Sequence, residues 1–199
     1  MKNPVVSNTV TSLENLHKGG YNYPFKRLCK NKITEGEKSY DHVYTFSSKH
    51  QIKYQANLIE YNIGVFAVKF HQKLYQKHPD RYKILTNKGD AIIVLKTIVA
   101  IMHDLLSQKD DASFAFMGMP LINEGIEKTK RYGVYKKFCQ RYFSYDNFEH
   151  VYDHNKSFYM LINRKKNLND IVNKIKKLAE TELVDDIEIP KVNFSRSTK

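Results

Sequence analysis

Tryptophan is absent, cysteine occurs twice, and acidic residues are outnumbered, 21 against 33 Lys and Arg. Each scarcity excludes something. Cys29 and Cys139 lie far apart with no CxxC, so neither a disulfide framework nor a thiolate metal cluster is expected, and both thiols read as reduced. The longest apolar run, Ala91–Leu95, stops at Lys96, so no membrane span is expected. Met1-Lys2-Asn3-Pro4 and the polar residues after it lack the apolar core of a secretory signal, which makes the cytoplasm, or the inside of a phage particle, the expected location. No Walker, Ser-His-Asp, Cys-His or paired-carboxylate motif is present, and no internal repeat.

What is present is charge. The net value is +12 with a pI near 9.5. A field of that sign and size favours polyanions and steers their encounter. Abundant Lys, Asn, Ile and Tyr fit a compositional origin of the same charge. A length of 199 residues suits one domain with a true core and a tail.

The chain is organised around residues 90–107. Thr86-Asn87-Lys88-Gly89 reads as a turn, and Asp90 stands where a capping side chain belongs. Apolar residues fill most of 91–106, while Lys96, Thr97, His103, Asp104 and Ser107 recur at spacings of three, four and seven. A helix so apolar over most of its circumference is covered on several sides. The spacing of Val134, Phe138 and Tyr142 predicts a second helix over 130–143, with Gly133 as a weak point.

Strand patterns surround these helices. His42–Phe46, Ile52–Leu58 and Ile63–Phe70 read as strands, the second alternating strictly. Tyr82–Leu85 reads as a short extended piece and Ala112–Met117 as a buried strand closed by Gly118 and Pro120. Phe148–Tyr152 and Ser157–Asn163 form a hairpin across Asp153-His154-Asn155-Lys156. The expected fold is α+β: a mixed, largely antiparallel sheet packed on a central buried helix and a second helix. Residues 1–39 read as an N-terminal arm with a short helix near 11–18, 40–166 as the core domain, 167–182 as a C-terminal helix and 183–199 as a tail.

The order strand–strand–helix–strand–helix–strand–strand over residues 41–163 resembles the second half of the GNAT (N-acetyltransferase) fold. Thr129-Lys130-Arg131-Tyr132-Gly133-Val134-Tyr135 occupies the place where that family often has Asn, a few residues, then Leu-Tyr. The Gly-Asp start of the long helix is also similar to that of small bacterial and phage proteins. The GNAT resemblance implies a coenzyme A pyrophosphate on the N-terminus of the long helix. It also implies a tyrosine, Tyr132 or Tyr135, near the acid that protonates the departing thiolate. The turn Asn87-Lys88-Gly89-Asp90-Ala91 departs from the family pattern. A second glycine is missing, and Asp90 is expected to cap its own helix and to repel a pyrophosphate, partly offset by Lys88.

No catalytic, cofactor or metal residue is assigned from the sequence. His150, Asp153 and His154 are close but cross a strand end and a turn, so the two histidines read as surface groups, and Glu124 and Glu127 as an exposed i, i+3 pair. The expected site is a basic face built from Lys128, Lys130, Arg131, Lys136, Lys137, Arg141, Arg164, Lys165 and Lys166, with nucleic acid as the partner. The sequence therefore reads first as a non-catalytic nucleic-acid-binding or accessory protein. Alternatives are a structural or assembly protein whose charge serves a protein partner or self-association, and a coenzyme A-dependent acyltransferase.

Overall fold

The structure, a computed structural model, describes residues 22–34, 36–121, 123–166, 169, 171, 173–174 and 195–196. Four antiparallel strands come first: β1 (Phe25–Lys32), β2 (Lys38–Ser47), β3 (Lys53–Tyr61) and β4 (Val65–Gln72). Helix α1 (Ala91–Gln108) then returns the chain to β5 (Ser113–Met117), which lies parallel to β4. Helix α2 (Lys130–Tyr142) leads to the hairpin of β6 (Phe148–Asp153) and β7 (Phe158–Asn163). The second arm of that hairpin, β7, inserts beside β5. A two-residue β8 (Ser195–Arg196) pairs with β6, and the spatial order is β1-β2-β3-β4-β5-β7-β6-β8. The fold is thus α+β with a mixed, largely antiparallel sheet. Its one parallel junction, β4 beside β5, follows from the helical crossover between them.

Period-two patterning decides what each face of the sheet buries. Tyr44, Ala56, Phe66, Phe114 and Tyr159 project to one face and meet Val94, Ile98, Ile101 and Leu105 of α1 and Cys139 of α2. By length and mean hydropathy α1 could cross a bilayer, because Lys96, His103 and Asp104 interrupt its apolar surface without lowering the average enough. Here its apolar side chains are spent on the core. Part of its polar strip is also covered, while Ser107 stays exposed. The Thr97 hydroxyl accepts from the Tyr23 amide at 3.0 Å and donates to the Ile93 carbonyl at 2.8 Å. Asp104 accepts from the Tyr44 hydroxyl at 3.0 Å, and the His103 ring stacks on Phe143 with planes 2° apart. On the other face Ala67, Ala115, Phe158 and Met160 form a second cluster with Ile171, which is helical along with residues 169, 173 and 174.

Most elements lie within two residues of the sequence-based expectation. Four differences matter. Phe25–Lys32 is an edge strand, not part of an arm, because Phe25 and the alternation around a bulge at Arg27/Cys29 give it a register on β2. Tyr82–Leu85 is not a strand: Arg131 of α2 donates to the Tyr82 and Lys83 carbonyls, which no ladder then pairs. His150 is 1% exposed, not a surface group. Glu124 is not a free surface acid, since its carboxylate accepts from the Leu121 and Lys130 amides. The helix expected near 11–18 and most of the helix and tail expected over 167–199 lie outside the described residues.

Candidate functional site

Strands β4 and β5 are in register for only three residue pairs, Val65–Ser113, Phe66–Phe114 and Ala67–Ala115. Beyond them β4 continues against β3 alone and β5 against β7 alone. Two parallel strands that stop pairing leave a wedge between them, with backbone groups on the facing edges that no ladder satisfies. The wedge is a slot of about 90 Å³ lined by Val68, Phe70, Ala115, Met117, Met119 and Tyr135, with Lys69, Tyr82 and Arg131 at its polar side. Its volume is far below that of a drug-sized pocket, roughly 300 Å³ or more. It suits a narrow, extended segment of a chain rather than a whole ligand. The Arg131 guanidinium clasps the 82–83 backbone beside it, with Nη2 at 2.8 Å from the Lys83 carbonyl.

Both helices begin at this end of the sheet, and their first turns are built differently. In α2 the Thr129 hydroxyl accepts from the Tyr132 amide at 3.1 Å and donates to the Gly118 carbonyl at 2.7 Å, while Glu124 takes the Lys130 amide. That helix end is closed. In α1, contrary to expectation, Asp90 caps nothing. Its backbone (φ −103°, ψ 6°) is not the extended conformation that swings a capping side chain over the first turn. The side chain turns inward and is 1% exposed; one oxygen lies 3.4 Å from the Thr86 hydroxyl, and the other has no partner among the described residues. Ala91 and Ile92 are exposed, and their amides meet no acceptor among the described residues. Asn87 and Gly89 before them take positive φ, 54° and 71°, which exposes Lys88 on the turn.

Of the two tyrosines weighed from the sequence, the structure brings only Tyr135 to the slot, where its ring lies 6.1 Å from that of Phe70. Burial pushes its phenol up to about 12, although nearby Arg131 acts the other way. It therefore keeps its proton through the neutral range. Tyr132 is buried elsewhere, its hydroxyl 3.0 Å from Nδ1 of His154. The three groups around residue 150 do not converge on an ion. His150 Nε2 donates to the Phe143 carbonyl at 3.0 Å, so Nδ1 accepts from the Tyr159 hydroxyl at 2.7 Å. Among the described residues no cluster of three metal-ligating side chains is found. Cys29 is exposed and Cys139 buried, and the two are unbridged.

The other polar cluster is internal support. Arg27 can only donate, so Nδ1 of His42 accepts from it at 2.7 Å and Nε2 gives its proton to Glu60 at 2.7 Å. The second Glu60 oxygen takes the Lys109 ammonium. These hydrogen bonds hold the Glu60 carboxyl below its usual range against the opposing effect of burial. The network ties β1, β2 and β3 to the C-terminal end of α1.

The nine basic residues expected to form one face are divided between the two ends of the sheet. Lys128, Lys130 and Arg131 lie at the slot end, with Arg131 engaged as above. Lys136 sits over the Tyr152 ring at 4.0 Å, and Lys137 and Arg141 are exposed farther along α2. Arg164, Lys165 and Lys166 are at the opposite end, where each meets an acid: Glu149 at 2.7 Å, Asp110 at 2.5 Å and Asp111 at 3.2 Å. The slot residues Met117, Met119 and Tyr82 carried no sequence signal, because a gap between strands is a property of register. Arg131 did carry one, as a base at a helix start, and was read as a surface charge. No protein-family model, curated protein or solved structure matches this chain.

Proposed function

We propose that the protein binds an acyl thioester of the coenzyme A kind and transfers its acyl group. The observation that carries this reading is the slot between β4 and β5. Its facing strand edges run outside the β4–β5 ladder beyond Ala67 and Ala115, where an extended amide-bearing arm can lie along them, and its walls are apolar and narrow. The uncapped first turn of α1, at the same end of the sheet, suits the phosphates at the far end of such a molecule, with Lys88 contributing charge. The Asp90 carboxyl below that turn opposes a phosphate, but it is aimed into the protein and not at the first amides. Tyr135 lines the slot and keeps its proton at neutral pH, which supports it as the donor to a departing sulfur, although burial makes its phenol a weaker acid than a free one. The reading also draws on the GNAT resemblance of the element order in the sequence.

Differential scanning fluorimetry with coenzyme A and acetyl-coenzyme A tests binding. A dose-dependent rise in Tm, weakened by Ala67→Phe in the slot wall, is expected. No shift at millimolar ligand would dismiss the reading. Release of free thiol in the presence of a panel of amines then tests transfer, with Tyr135→Phe expected to lower turnover ~10²-fold while leaving the thermal shift.

A further inference from the structure

Three exposed lysines, Lys26, Lys53 and Lys73, meet in a groove at the slot end of the sheet, and we infer that this groove binds the phosphodiester backbone of a single-stranded nucleic acid. At the opposite end acids and bases cancel in pairs: Glu60 with Lys109, Asp110 with Lys165, Asp111 with Lys166, and Glu149 with Arg164. Strand direction places the start of β1, the β2–β3 turn and the exit of β4 at the slot end. Across these three elements runs an open groove of about 610 Å³. Lys26, Lys53 and Lys73 line it from three different segments, and no acidic residue does. All three are exposed, and none has an acid partner among the described residues.

The lining identifies the occupant. Point charges spaced along an open furrow match a chain of phosphates, and Phe25 with exposed Leu28 gives the furrow an apolar wall for base faces. This site is separate from the slot and differs from the surface that charge counting along the sequence selects, since Arg164, Lys165 and Lys166 are already neutralised.

Fluorescence anisotropy of labelled 20-nucleotide single-stranded RNA and DNA, titrated with the full chain from 50 to 300 mM salt, tests it. Binding that falls steeply with salt is expected. The variant K26E/K53E/K73E should bind at least 10-fold more weakly with its salt slope reduced by about 2, whereas K165E/K166E should bind within 2-fold of the parent. Circular dichroism and the coenzyme A thermal shift, which the groove substitutions leave in place, distinguish loss of this site from loss of the fold or of the slot reading. Absence of binding by the parent at 50 mM salt, equal losses in both variants, or equal affinity for polyglutamate would each overturn the inference.

Discussion

The hydroxyl of Thr86 meets one carboxyl oxygen of Asp90 at 3.4 Å, a long contact, and the other oxygen of Asp90 is buried with no donor among the described residues. A side chain in that position contributes little to the helix it precedes. Leaving an acceptor unsatisfied costs about 1–3 kcal/mol, so removing it offsets the lost Thr86 contact. Asp90→Ala should therefore change stability by under about 0.5 kcal/mol. Thr129→Ala, which removes a true cap and the bond to Gly118, should cost about 1–2 kcal/mol. Urea denaturation of both variants checks the contrast, and a loss of more than 1 kcal/mol at Asp90 would show that it caps after all.

Gly118 and Gly133 should respond to alanine with opposite signs. A Cβ on Gly118 would stand 2.5 Å from the Tyr132 amide nitrogen and 2.6 Å from the Thr129 hydroxyl, atoms fixed by the start of α2. Overpacking against backbone costs about 1–3 kcal/mol. Gly133 is inside α2 with nothing within 4 Å of a built Cβ, so Gly133→Ala should gain up to about 1 kcal/mol from helix propensity. Thermal melts of the two variants decide it.

Tyr132 and Tyr135 differ in what they touch, and substitution should separate them. Tyr132→Phe removes the 3.0 Å contact with His154 and should cost about 1 kcal/mol of stability, without touching the slot. Tyr135→Phe removes a hydroxyl that makes no hydrogen bond among the described residues, so stability should hold while thiol release falls. If both variants lose activity in proportion to stability, neither tyrosine donates a proton.

How much of this was legible in the sequence follows from what each residue type signals locally. The alternation of Ile52, Tyr54, Ala56 and Leu58 is enough to write β3, and the apolar circumference of 91–106 is enough to bury α1. Phe25–Lys32 escaped because an edge strand that carries Lys26, Arg27, Lys30 and Lys32 reads as a solvated arm until its partner is known. At Asp90 the residue type is right for a cap, and only φ and ψ show that it cannot reach. The slot was invisible for a different reason. It exists because β4 and β5 stop pairing after Ala67 and Ala115, and register between strands joined through a helix leaves no mark on either strand. Charge pairing across 49 residues, as between Glu60 and Lys109, is likewise beyond a reading along the chain.

Stability should fall steeply as pH drops below the ordinary histidine value of 6.5. Burial lowers His42, His71, His103 and His150, the last to about 4. In the unfolded chain each takes a proton near 6.5, whereas the folded protein resists it. Between those values the unfolded state binds more protons, so acidification favours unfolding. The stability these groups supply is complete above 6.5 and lost as pH falls through the folded values. His150 alone, shifted from 6.5 to about 4, contributes about 3 kcal/mol at pH 7 by this linkage. Glu60 acts in the same direction at lower pH, since its depressed carboxyl gives stability that is present above its unfolded value and lost as pH falls through the folded one. His150→Gln should still occupy the space between Phe143 and Tyr159 and should flatten the dependence of urea midpoint on pH between 4 and 6.5, while Lys156→Gln, remote from these groups, should leave it unchanged. A parent midpoint constant from pH 7 to 5 would mean that the buried imidazoles are protonated in the folded state, and the hydrogen-bond directions assigned to His42 and His150 would have to be reversed.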